Sequence, residues 1–360
     1  MKPITIFLLL ICATHVQGQD SANLTAPLSF TGYLEVYYQY DFRRPENHTR
    51  PSFVFSYKRT NEIALNLGFL KGSYSNEKVR ANLALMAGTY ANANLTNEPG
   101  VLKNVFEASA GIRLSKSRNL WMDAGVLPSH IGFESAVGKD CWTLTRSILA
   151  DNSPYYEAGL RSSYKTTNSQ WYFAFLLLNG WQRMERVNGN NTPAFGTQVT
   201  FTPSQQLTVN SSTYVGNEFP DSISRWRYFH NFYTTWQISK QAGVCIGFDA
   251  GMQQRQKGSS ALESWYGLAL LLQYTLSQHW SLTGRWEYYK DTYGVIIPAV
   301  RSNPFAVQGA SLDVDYVVSK NLMWRIEGKG LWSASPNLLI YNTSLRSTVA
   351  ITTSLCFSLE

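Results

Sequence analysis

Residues 276–289, LSQHWSLTGRWEYY, open on a small polar cluster and continue as an alternation of large apolar with polar or charged side chains. Successive side chains of a strand point to opposite sides, so Trp280, Leu282, Trp286 and Tyr288 share one face of an extended chain. Ser281, Thr283, Arg285, Glu287 and Tyr289 share the other. The same phrase returns over residues 318–332 as VSKNLMWRIEGKGLW, and more loosely over 114–126, 202–215 and 238–248. A face of Trp, Tyr and Leu repeated strand after strand requires an apolar medium to look into.

Working outward, strand-like runs rich in Tyr, Trp, Phe, Val and Thr recur from Phe30 to the C-terminus, about sixteen in all. Helical periodicity is almost nowhere. The connections alternate in length. Short polar turns at Ser115 to Asn119, Ser239 to Ala242, Ser277 to His279 and Ser319 to Asn321 are interleaved with long loops such as Phe42 to Tyr57, Ala91 to Val101 and Pro128 to Pro154. Short connections on one rim and long ones on the other are the pattern of a transmembrane antiparallel β-barrel. Closure also solves the backbone problem, because in hydrocarbon every N–H and C=O must be paired internally. A soluble propeller would pack about four strands into each repeat of this length, where this chain has two long ones and a loop. The expected class is all-β: a barrel of about sixteen strands, with periplasmic turns and extracellular loops.

The chain has 360 residues, 44% hydrophobic, 15% charged and 14% aromatic. Lys2, the apolar run from Ile4 to Cys12 and the small-residue site at Val16-Gln17-Gly18 make residues 1–18 a secretory leader. Residues 19–29 form a short N-terminal segment, and residues 30–357 the barrel. Cys141, Cys245 and Cys356 remain after cleavage, and their odd number does not make a disulfide framework. The sequence holds no CxxC or HExxH spacing, so neither a metal nor any other cofactor is expected. The formal charge of +7 is spread along the chain, without the basic patch that nucleic acid needs. Catalysis has little to work with. Outside the leader only His48, His130, His230 and His279 could orient a nucleophile.

The text WMDAGVLPSHIGFES over residues 121–135, WTLTRSILADNSPYYEAGL over 142–160 and SWYGLALLLQYTLSQHWSLTGRWEYYKD over 264–291 resembles the OmpL-like β-barrel porin family of Gram-negative outer membranes. The likeness extends loosely over the whole mature chain. It implies a pore-forming barrel and names no solute.

Parity assigns Arg285, Glu287, Arg325 and Glu327 to the lumen, together with Arg80, Arg113 and Arg161, and also Lys103, Glu62, Glu107 and Asp123. Such a wall would either set a transverse field across a water-filled pore or simply brace neighbouring strands. The longest loop, Pro128 to Pro154, carries Glu134, Asp140, Arg146 and Asp151 beside Phe133, Trp142, Leu144 and Ile148, and is too apolar to float in water. It is the expected constriction, folded inward so that Glu134, Asp140 and Asp151 meet the basic wall of Arg80, Arg113 and Arg161. The alternative is a loop packed over the outer rim or in a subunit contact. The expected activity is passive diffusion of small hydrophilic solutes or ions, against a structural or adhesive barrel with a plugged lumen. Partners would be outer-membrane lipid and the solutes or ions themselves, with a homo-oligomer left open. A carrier of aromatic or fatty solutes would need an apolar pocket in the lumen and a plug longer than Gln19 to Ser29.

Overall fold

A computed structural model describes residues 27–298, 304–334, 338–340 and 343–359. The leader expected over residues 1–18 lies outside the described residues. Sixteen antiparallel strands close into a barrel in which each pairs with its neighbours in sequence and the last returns to the first. They are β1 Leu28–Asp41, β2 Ile63–Ser75, β3 Val79–Ala87, β4 Val105–Arg113, β5 Asn119–Pro128, β6 Tyr156–Lys165, β7 Trp171–Leu178 and β8 Ala194–Ser204. Then come β9 Leu207–Asn217, β10 Trp226–Gln237, β11 Ala242–Gln254, β12 Leu262–Thr275, β13 Trp280–Asp291, β14 Phe305–Ser319, β15 Leu322–Trp332 and β16 Ser347–Leu359. The seam runs from Gly32 opposite Leu359 to Asp41 opposite Ala350. With the seam paired the barrel itself has no edge strand to template aggregation.

Burial follows the alternation of the sequence. On β13, Thr283, Arg285, Glu287 and Tyr289 are buried inside, while Trp280 and Trp286 are exposed outside. The exposed outer face continues through Phe173, Phe175, Leu272, Leu312 and Leu355. Two short helices, α1 Thr89–Asn94 and α2 Ile148–Asp151, sit in the long loops. No helix among the described residues is long and apolar enough to cross a membrane. The strands do the crossing.

Several strand boundaries differ from the sequence reading, two of them with consequences for charged residues. The second strand starts at Ile63 rather than Lys58, because the residues before it belong to a first loop that tucks inward. There the Tyr57 hydroxyl donates to Glu35 Oε1 at 2.7 Å. Lys58 Nζ donates to the carbonyls of Pro51 and Val54 at 2.7 and 2.9 Å. Glu62 accordingly stays on that loop, paired with Arg59 at 2.6 Å, instead of facing the lumen. Lys103 lies in a 3-10 turn, Gly100–Asn104, that precedes β4, not in a strand.

Among the described residues the apolar interior falls into two large clusters and a small one of Tyr37, Tyr57 and Leu144. One of the large clusters joins Ile148, Leu149, Trp265, Leu271, Tyr289 and Phe305 under the long loop. The other joins Tyr33, Leu67, Met86, Tyr90, Leu95 and Tyr156, with Phe69, Phe106 and Val137 packed against it.

Candidate functional site

The Pro128 to Pro154 loop descends into the barrel and is fastened along the β13–β15 wall. Three of its backbone N–H groups donate to inward carboxylates: Leu144 to Asp313 at 3.0 Å, Thr145 to Glu327 at 2.5 Å and Ile148 to Glu287 at 2.6 Å. Its carbonyls accept from cations of the same wall. Arg285 reaches Thr145 at 2.6 Å, Arg325 reaches Gly138 and Cys141 at 2.6 and 3.0 Å, and Lys329 reaches Arg146 at 2.9 Å. The wall residues also bind one another: Arg285 with Glu327 at 2.8 Å, Arg325 with Asp315 at 2.5 Å, and Lys329 with Glu287 at 2.8 Å. Buried charges persist only when paired and hydrogen-bonded, and here the loop backbone supplies what the side-chain pairs leave open. Arg285, Glu287, Arg325 and Glu327 are thus buried loop anchors, not solvent-facing pore residues. At the loop tip Gly138 lies so close to Glu35 that an added Cβ would come within 2.5 Å of its Oε1.

The remaining loop residues of the sequence reading also turn toward structure. The Arg146 guanidinium donates to the loop's own carbonyls at Ser135 and Leu144, at 2.6 and 2.7 Å. Asp151 accepts from the backbone and hydroxyl of Ser56, at 3.1 and 2.8 Å, tying the first loop to the long one. Glu134 accepts from Ser147 and lies 3.6 Å from Arg285. Burial pushes its carboxyl above the usual carboxylate range against the pull of Arg285 and Arg146. Asp140 stays exposed. The expected meeting of Glu134, Asp140 and Asp151 with a basic wall is therefore corrected. Among the described residues none of the three pairs with Arg80, Arg113 or Arg161. The reason is competition: the opposite wall offers hydrogen-bond partners to the loop backbone between residues 138 and 148, and Arg80 and Arg161 already share Asp123, at 2.5 and 3.3 Å.

Facing the other side of the loop, β1–β6 present their inward side chains in rows across the sheet. Phe69 stands opposite Met86, and Phe69 stacks on Phe106 with centroids 4.8 Å apart. One row toward the periplasm, Lys71 pairs with Glu107 at 2.6 Å. Next come Asn82 and Ser109, which are register partners. Below these, Arg80, Gly111, Asp123 and Arg161 form one register row. Gly111 is needed there because a Cβ would meet Asp123 Oδ1 at 2.2 Å, in the path of the Arg80 pair. Arg80 also lies over the Trp121 ring at 4.4 Å, and Arg113 donates to the Arg118 carbonyl of the adjoining turn at 3.3 Å. Between this wall and the loop the barrel encloses a cavity of about 500 Å³, whose lining includes Phe69, Lys71, Phe106, Phe133, Glu134 and Val137.

Residues 27–359 match the family described as "Putative beta-barrel porin-2, OmpL-like". The chain belongs to this porin family. No curated protein sequence matches it. Solved structures similar to this porin include OmpT of Vibrio cholerae, with TM-score 0.59, 8% identity, and coverage of 92% of this chain and 97% of that one. An anion-selective porin from Comamonas acidovorans has TM-score 0.60, 8% identity, and coverage of 92% and 99%. OprB of Pseudomonas putida has TM-score 0.58, 8% identity, and coverage of 92% and 94%. At such identities the likeness speaks for the fold. Family and barrel together make the protein an outer-membrane porin.

Two features of this porin escape a reading by strand parity. Ending the second strand at Leu70 assigns Lys71 to a turn, whereas β2 runs on to Ser75 and carries Lys71 into the lumen. Phe106 sits at a register irregularity between β3 and β4, after which simple alternation no longer places it. Continuing the Leu67, Phe69, Lys71 alternation would have found the first. Nothing local in the sequence marks the second.

Proposed function

We propose that solutes cross this porin through the gap between the inward loop and the β1–β6 wall, by passive diffusion and without chemical conversion. The observation that carries the reading is asymmetry. The loop is fastened to β13–β15 by paired charges, while on its other side the cavity of about 500 Å³ remains. Barrels of about sixteen strands are wide enough for an aqueous channel even with a loop folded inside. Arg80, Arg113 and Arg161 then line the periplasmic part of the route, and the buried ladder of Arg285, Glu287, Arg325 and Glu327 holds the constricting loop in place. Residues 1–18 act in this reading as the leader that directs export. Self-association belongs to the same reading, and one similar structure, OmpT of Vibrio cholerae, is described in a trimer form. The test is reconstitution of the folded barrel in a planar bilayer. Discrete ohmic steps in salt support the reading. A folded, inserted barrel that carries no current overturns it in favour of a plugged, adhesive protein.

A further inference from the structure

The walls of the gap are unlike those of a uniformly polar pore. Phe69 and Phe106 stack on the strand side, and Phe133 and Val137 face the same cavity from the loop. A solute in this gap therefore lies between two apolar surfaces, with Glu134 also in the lining, before it reaches the Lys71 and Arg80 rows.

The charges that follow are lopsided. In the Lys71–Glu107 pair the lysine side chain keeps 27% of its surface exposed and the glutamate 7%. In the Arg80–Asp123 pair the figures are 30% and 4%, and Arg161, on the same aspartate, keeps 21%. The carboxylates are sunk into the sheet and the cations stand proud of it. What the lumen meets along this wall is an apolar slot followed by two rows of ammonium and guanidinium.

We infer that the passage selects organic anions bearing a flat apolar ring, aromatic carboxylates being the simplest members of the class. The ring would slide between Phe69/Phe106 and the loop, where aromatic faces favour offset or edge contacts with another ring. The anionic group would be passed from Lys71 to Arg80 and Arg161, whose guanidinium forks suit a carboxylate. This deepens the porin reading and rests on it. A small inorganic anion meets only the second feature, a hydrophobic cation only the first, and neither is held as long.

The experiment is block of single-channel chloride current in the reconstituted wild-type barrel by four probes: benzoate, acetate, benzylammonium and benzyl alcohol. Benzoate should reach half-block at a concentration about tenfold below acetate and benzylammonium, the size expected for one aromatic contact together with one charge contact. Phe106→Ala should raise the benzoate half-block toward that of acetate while salt conductance stays or rises, and Lys71→Gln should raise it with the ring contact intact. Equal block by acetate and benzoate, or block by benzylammonium as strong as by benzoate, with salt current intact, overturns the inference and leaves the porin. Absence of any salt current in the inserted wild-type barrel overturns the porin reading, and this inference with it. The four-probe comparison needs no variant, so a substitution that fails to fold does not rescue the idea.

Discussion

His130 and Glu157 meet at the root of the inward loop, ring Nδ1 to carboxylate Oε2, at 2.7 Å, while the other ring nitrogen lies 2.8 Å from the Thr213 carbonyl. Two acceptors facing both nitrogens hold the imidazole in its doubly protonated form.

From that pair follows a pH dependence. Burial alone would lower the His130 pKa, but the charge and hydrogen bond of Glu157 and the Thr213 carbonyl outweigh it and the nearby Arg161, leaving the pKa raised above its ordinary 6.5. A pKa raised on folding contributes stability that is fully present below the unfolded value and is lost as pH rises through the folded one. Loop anchorage should thus be firm at acid pH and loosen on the alkaline side. Open-channel current noise, recorded across that range, should be flat at low pH and grow above it. His130→Gln, which cannot carry the charge, should be noisier throughout and lose the trend. Noise independent of pH in the wild type would refute the charged latch.

The β13–β15 ladder makes a second prediction. Arg285 serves Glu327, Glu134 and the Thr145 carbonyl from a fully buried position. Arg285→Met should therefore cost about 3–5 kcal/mol, the range for breaking a buried pair and stranding its partners. Urea titration of the refolded barrel measures it. Removing residues 135–145 altogether should raise single-channel conductance, since the segment occupies lumen. A conductance unchanged in a folded deletion barrel would place the narrowest point elsewhere.

Ion preference should depend on the other wall. Neutralising Arg80 and Arg161 together, each to Gln, strips the cations from their shared aspartate and should move the reversal potential toward cations. Screening lengths of about 10 Å at 0.1 M and 3 Å at 1 M salt make the shift larger in dilute solution. Charge-neutral changes at Glu134 and Asp151, which are spent on Ser147 and Ser56, should move it far less.

The faces can be separated by one pair of substitutions. Leu312, near the middle of β14, is 57% exposed on the outside. Leu312→Arg should cost about 2–4 kcal/mol if it sits at the bilayer midplane. Asn82→Arg, inward and half-buried in a wet lumen, should cost little. Heat-modifiable gel migration reports the folded fraction of each, and equal losses would contradict the assignment of faces.

Most of the barrel was legible because its information is local: a period of two in each strand, and turn residues at one rim. Arg285 and Glu287 could be sent to the inside from their own neighbours alone. Their task could not. Whether an inward arginine faces water or a loop carbonyl depends on where residues 128–154 settle, and that is decided by Asp313, Glu327 and Arg325, far away in the chain. Glu134 and Asp151 show the same limit: their charge suggested the Arg80, Arg113 and Arg161 wall, but the N–H and hydroxyl groups of Ser147 and Ser56 lay nearer, while Asp140 stays exposed. Tyr57 is legible as the end of a long loop, but its inward turn is not, because the Glu35 acceptor that accounts for it lies on β1, 22 residues earlier in the chain.

Beyond its His130 root, the loop is clamped by paired charges along the β13–β15 wall, like a vice with one fixed jaw. The calibre of the opening is then set by the moving jaw, which is a handful of side chains on β2–β4. Trimming Phe106, or lengthening Asn82, changes the bore without disturbing a single bond that positions the loop. Point substitutions can therefore resize this pore one side chain at a time, with its clamp intact at every step.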